Sequence, residues 1–153
     1  MVNPDTFCAL VSLVGGDAHC VRDSVYSPLW ILMNFELAFD KNTQDFCAVT
    51  DFSESRSRVK KSKIKQSPEH IQHIAIFQYN VLSYKINSKT ISAFKDVEMH
   101  NLKNEGFTVI EISPFVWNRM GMDSEKHRVE YLKTLFINQG VNLNIKKENA
   151  VKT

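Results

Sequence analysis

Two β-rich apolar runs, Leu29–Phe39 and Ile71–Leu82, flank a stretch with almost nothing to bury, and this alternation constrains the fold more than any other feature. Leu29 to Phe39 is apolar nearly throughout, interrupted on one parity by Asn34 and Glu36, so it reads as a strand buried on both faces that carries two polar residues into the sheet. Ile71 to Leu82 has the branched and aromatic composition of a central strand, with Gln78 its most conspicuous polar residue. Phe107 to Ile112 is a third, short β run that Ser113-Pro114 ends.

A sheet buried on both faces needs helices to cover it, and the periodicity supplies them. Pro4 to Val14 places Phe7, Leu10, Val11 and Val14 on one stripe before Gly15-Gly16. Ser92 to Glu105 has a ragged stripe of Phe94, Val97 and Leu102, with Gly106 beyond its end. Asp123-Ser124 can cap a last helix whose Val129, Leu132, Leu135 and Phe136 share a face and which Gly140 stops. Asp23 to Pro28 is turn-like, and Asp40-Lys41-Asn42 turns the chain again. The order helix, strand, loop, strand, helix, strand, helix predicts an α/β fold: a mixed central sheet flanked by helices. At 153 residues, 43% of them apolar and 24% charged, there is material for one domain with an ordinary core and no sign of wholesale disorder.

The stretch without a core, Ser53 to Pro68, carries Arg56, Arg58, Lys60, Lys61, Lys63 and Lys65 and reads as a mobile basic loop. The formal net charge is only +2, so affinity for nucleic acid has to come from such local clustering. The competing reading is a solvated linker. Phe115 and Trp117 could stack on bases but read as core. Cys8, Cys20 and Cys47 are odd in number and at no metal-ligand spacing, which points to buried thiols in a reducing compartment. His70 and His73, three apart at a strand entry, face opposite sides and read as one buried and one solvated histidine; His19-Cys20 lacks a third catalytic member. Tyr26 to Phe39 is broken by Pro28, Asn34 and Glu36, well short of the ~20 apolar residues of a membrane span, so no membrane insertion is expected. The first residues have the pattern of neither a signal peptide nor a transit peptide.

Leu102 to Leu132 (LKNEGFTVIEISPFVWNRMGMDSEKHRVEYL) resembles the RAP domain, with Leu102, Gly106, Phe107, Pro114, Phe115, Trp117, Tyr131 and Leu132 in the matching places. Upstream, LVGGDAHCVRDSVYSPLWILMNFELAFD is similar to the segment that leads into that domain in FAST kinase-like proteins, on Gly15, Gly16, Arg22, Pro28, Phe35, Glu36 and Asp40. The resemblance divides the chain into residues 1–28, an N-terminal helix and lead-in; 29–140, a RAP-like domain holding the basic loop 53–68; and 141–153, a C-terminal tail.

The resemblance implies a fold similar to the PD-(D/E)XK restriction-endonuclease-like fold and a role in mitochondrial (matrix) RNA processing, stability or translation, with mitochondrial transcripts as partners. An organellar chain without a transit peptide is then expected to be a fragment or an atypical isoform. No kinase motif is present: there is neither a Gly-rich phosphate loop nor an HRD-type or DFG-type run. Asn34 stands where the family has an Asp before Phe-Glu, and Gln78 stands near the acid expected on the next strand. Two neutral amides in place of carboxylates weaken a Mg²⁺ site, which leaves Glu36, Asp40 and Glu111 as remaining catalytic candidates. Glu98-Met99-His100-Asn101 replaces the family's basic run, leaving Lys95 and Lys103 nearby. The expectation is an RNA-binding module with no cofactor or metal, contacting RNA through Arg56, Arg58, Lys60, Lys61, Lys63, Lys65, Lys95 and Lys103. The alternative is a Mg²⁺-dependent endoribonuclease.

Overall fold

The structure, a computed structural model, describes residues 3–48, 60–84, 93–120 and 125–143. Asn3 caps α1 (Pro4–Leu13) by accepting from the Asp5 and Thr6 amides, and Pro4 sits in the first turn, where it has no intrahelical bond to lose. The helix stops where Gly15 and Gly16, at φ +99° and +98°, turn the chain back.

The next element differs from expectation. Arg22–Tyr26, which overlaps the Asp23–Pro28 segment that reads as turn-like, is a strand, β1, antiparallel to β2 (Leu32–Asp40). A short polar edge strand has no alternation strong enough to announce it; its pairing comes from the neighbour. The turn proper is Ser27–Ile31. The Ser27 hydroxyl accepts from the Leu29 and Ile31 amides, and Ser27 and Ile31 pair through their backbones. Leu29–Ile31 therefore belong to the turn, and β2 begins later than its apolar run. At the far end of β2 the Asp40 carboxylate accepts from the Asn42 and Thr43 amides, and a further unexpected strand, β3 (Asp45–Cys47), folds back on Ala38–Asp40.

β4 (Ile71–Gln78) pairs antiparallel with β2, and β5 (Thr108–Ile112) pairs parallel with β4, giving the order β1-β2-β4-β5 with β3 on β2. β4 ends at Gln78, short of Leu82, because Asn80 caps a 3-10 turn over Val81–Ser83. A parallel pair needs a crossover, and α2 (Ala93–Asn104) lies between β4 and β5 in the chain. Its buried side chains are Met99 and Leu102, whereas Phe94 and Val97 are exposed, so the stripe expected on Phe94 and Val97 is not the face that packs. Ser113-Pro114 ends β5 as expected, but Pro114 opens a helix, α3 (Pro114–Met120), that buries Trp117. α4 (Glu125–Asn138) completes the fold, with Leu132 and Phe136 fully buried.

Alternate residues of β4 enter two cores: Ile74 and Ile76 pack with Leu10, Leu132 and Phe136 of α1 and α4, while Ala75 and Phe77 pack with Met99 and Leu102 of α2. The sheet thus has helices on both faces. Along β2, Phe35, Leu37 and Phe39 keep to the first core, but Met33 enters the second, so the alternation breaks at Asn34. On β1 opposite, Ser24 has φ +54°. Parity alone therefore does not place Asn34 beside Glu36.

Part of the expected mobile loop is ordered against the sheet. Lys60–Ser67 forms a strap: Tyr26 and Lys60 pair at 2.8 Å, Ser62 and Tyr26 at 2.7 Å, and a short 3-10 turn spans Ile64–Gln66. Ser62 is buried and hydrogen-bonded, which a solvated segment would not be. Arg56 and Arg58 lie outside the described residues.

Candidate nucleic-acid interface

Glu36 sits at the middle of the sheet, with Arg22 opposite it on β1 and Ala75 opposite it on β4. It is fully buried, and a buried carboxylate needs partners. Its Oε2 accepts from the Ser62 hydroxyl at 2.5 Å and lies 3.4 Å from His73 Nδ1; its Oε1 lies 3.7 Å from Arg22 Nη1. His73 Nε2 in turn meets the Ser67 hydroxyl at 2.7 Å. Arg22 and His73 are each more than nine-tenths buried. Glu36 and His73 therefore hold the strap at two serines, Ser62 and Ser67, and fix where its lysines stand.

The lysines have distinct settings. Lys60 is exposed and its Nζ reaches the Asp23 carboxylate at 2.8 Å; that hydrogen bond holds the Asp23 carboxyl below the usual range, against the opposing effect of partial burial. Lys61 is exposed with its ammonium 4.2 Å from the centre of the Trp30 ring. Lys63 is half-buried and Lys65 exposed. Trp30 is the residue sequence reasoning missed. It is 61% exposed, flanked by Tyr26 at 5.7 Å, and held at φ +62° by the Ser27 turn. A left-handed backbone is unfavourable for a bulky residue, so a solvent-facing tryptophan kept there marks a place where something other than packing decides. The signal in the sequence was Ser27-Pro28 ahead of an aromatic, a turn that displays the residue rather than burying it.

The other predicted residues are dispersed. Asp40 caps its turn and stands 4.0 Å from His70. Glu111 accepts from the Tyr84 hydroxyl on the α2 side of β5. Lys95 lies 4.9 Å from the Tyr79 ring, and Lys103 is exposed in the last turn of α2. Asn34 and Gln78 do come together: Asn34 Oδ1 accepts from the Gln78 amide at 2.9 Å, and Gln78 Oε1 accepts from the Thr6 hydroxyl of α1 at 2.7 Å. Among the described residues no group of three His, Cys, Asp or Glu side chains is placed to hold a metal ion. Trp117 and Cys20 are buried as expected, whereas Cys8 is exposed on the outside of α1, a correction to the buried-thiol expectation. No helix among the described residues is long and apolar enough to cross a membrane.

Residues 70–135 match the RAP domain family. The chain is also similar to FAST kinase domain-containing protein 1, mitochondrial, from Mus musculus, at 25% identity over 135 residues. That similarity takes in 86% of this chain but 16% of the mouse protein, so the chain spans a small part of the curated relative's length. No solved structure matches. The RAP match runs from the start of β4 into α4 and takes in His73, Gln78, Lys95, Lys103 and Glu111; β1, β2 and the strap precede it.

Proposed function

With the RAP match over residues 70–135 as premise, we propose that this chain is an RNA-binding module of a FAST kinase-like protein, acting in mitochondrial RNA processing, stability or translation without catalysis of its own. The observation that carries the reading is the pinned strap, which presents Lys60, Lys61 and Lys65 to solvent, with Lys61 against exposed Trp30. Closely spaced cations release counterions from phosphates, and an aromatic face stacks on a base of any identity, so the pair suits single-stranded RNA. Arg56 and Arg58 belong to the same basic run in the sequence and extend the proposal to it. Lys95 and Lys103, on α2, are offered as secondary contacts.

The order helix, four antiparallel strands with β3 off the main path, crossover helix and parallel strand supports a PD-(D/E)XK-like core, in which Asn34 and Gln78 would hold the positions of metal-binding acids. Those residues do not fit a Mg²⁺ site. Both amide oxygens already accept internal hydrogen bonds, neither adds charge, and the buried Glu36 is engaged by Ser62, His73 and Arg22. What supports a binding role over a nuclease role is that these side chains are committed to joining α1, β2, β4 and the strap. The test is anisotropy of labelled single-stranded RNA with the purified chain, followed by a gel after incubation with Mg²⁺. Binding without cleavage is expected; Mg²⁺-dependent cutting that Glu36→Gln abolishes would replace this reading with the endoribonuclease.

A further inference from the structure

We infer that a cavity beneath the strap binds a phosphate monoester, the group carried by a single nucleotide either free or at the end of an RNA strand. The cavity, about 470 Å³, lies between the strap and the β2–β3–β4 region, with Arg22, Lys63, Gln66, Ser67, His73 and Cys47 in its walls. Its size falls in the range of small-molecule sites, roughly 300–1,000 Å³, and admits one nucleotide but not a run of strand.

The chemistry of the walls points to an anion. Among the described lining residues, Arg22 and Lys63 bring two cations, Gln66 brings a neutral amide donor, and none is acidic. Glu36 stands behind this wall, fully buried, and its one negative charge is shared among Arg22, His73 and Ser62. Arg22 and His73 are nine-tenths buried yet border this cavity, and His73 keeps Ser67 in place through its Nε2. An arginine and a lysine in the walls of a recess of this size suit a dianionic phosphate, which accepts several charge-assisted hydrogen bonds at once. Burial pushes the Cys47 thiol up, and nearby Asp40 adds to the effect, so that wall is neutral at ordinary pH. The strap that roofs the cavity is the one that carries Lys60 and Lys61, so a strand ending inside would leave across the surface assigned to RNA. The end-of-strand form of the inference rests on the RNA-binding reading; the free-nucleotide form does not.

The test uses the full chain. Thermal shift and calorimetry compare inorganic phosphate, adenosine monophosphate and adenosine; anisotropy compares one short RNA carrying a 5′-phosphate, a 3′-phosphate or only hydroxyl ends. The monophosphate is expected to bind where adenosine does not, and one phosphorylated end to tighten RNA binding by about ten-fold or more. Gln66→Glu places a carboxylate in the wall from an exposed position with little risk to folding; it should abolish monophosphate binding and erase the phosphate preference, so that phosphorylated and hydroxyl-ended RNA bind equally. Arg22→Lys should weaken the preference too. Monophosphate binding with all RNA ends equal identifies the ligand as a free nucleotide; monophosphate binding with no RNA binding at all sinks the RNA reading and leaves the cavity assigned. Equal or absent binding of monophosphate and adenosine, with RNA ends indistinguishable, overturns the inference.

Discussion

The two tryptophans show how differently one residue type is used. Trp117 is 6% exposed within the core formed with Leu132 and Phe136, so Trp117→Ala should cost ~3–5 kcal/mol, read as a lowered denaturant midpoint. Trp30 buries little and sits at φ +62°, where asparagine is better tolerated. Trp30→Asn should therefore leave the melting temperature unchanged or slightly raised while weakening RNA binding by ~1–3 kcal/mol, the worth of one stacked base. An unaltered affinity would remove Trp30 from the interface. The tyrosines offer a second test. Burial pushes the Tyr79, Tyr84 and Tyr131 phenols above their ordinary value; at Tyr84 the hydrogen bond to Glu111 adds to it. A folded-state value raised above the unfolded one contributes stability that is intact below the unfolded value, about 10, and is lost as pH climbs through the folded value. Ultraviolet titration should show these three of the chain's four tyrosines still protonated somewhat above pH 10. Their ionisation should coincide with unfolding, and a smooth titration near the ordinary value in folded protein would contradict the packing described.

At the scale of elements, the strap is the case in which the chain's most polar segment becomes part of the folded unit. Its lysines cannot hold it down, since exposed ion pairs such as Lys60–Asp23 contribute little. The buried hydroxyl of Ser62 can, because it satisfies Glu36 in a place water does not reach. Ser62→Ala leaves that carboxylate short of a donor and should destabilise by ~1–3 kcal/mol, with a parallel loss of RNA affinity as the lysines lose their fixed positions. A urea melt and an RNA titration of the variant check both; a parent-like melt would mean that Arg22 and His73 suffice for Glu36.

For the whole molecule the net charge of +2 gives little general attraction to RNA, so binding should be carried by the strap's local field. Replacing Lys60, Lys61, Lys63 and Lys65 with serine should lower the slope of log affinity against log salt by up to ~0.7 for each lysine that meets a phosphate of single-stranded RNA. A salt titration of parent and variant reads this directly, and superimposable slopes would place the contact elsewhere.

The three apolar β runs, the helices closed by Gly15-Gly16, Gly106 and Gly140, and hence the mixed sheet between helices, were legible in the sequence because burial period and backbone permissiveness are local properties. So were the amides at Asn34 and Gln78, although not that each is consumed by a hydrogen bond. What was illegible depends on partners distant in the chain. β1 and β3 are strands because β2 offers them an edge, Trp30 is exposed because Ser27 shapes its turn, and the alternation of β2 breaks at Asn34, so shared parity with Glu36 does not by itself put the two side by side. The Glu36 cluster draws on residues 22, 62 and 73. Composition can show that a buried charge needs company, but only the tertiary structure decides which hydroxyl, imidazole and guanidinium supply it, since that follows from strand register and not from spacing along the chain.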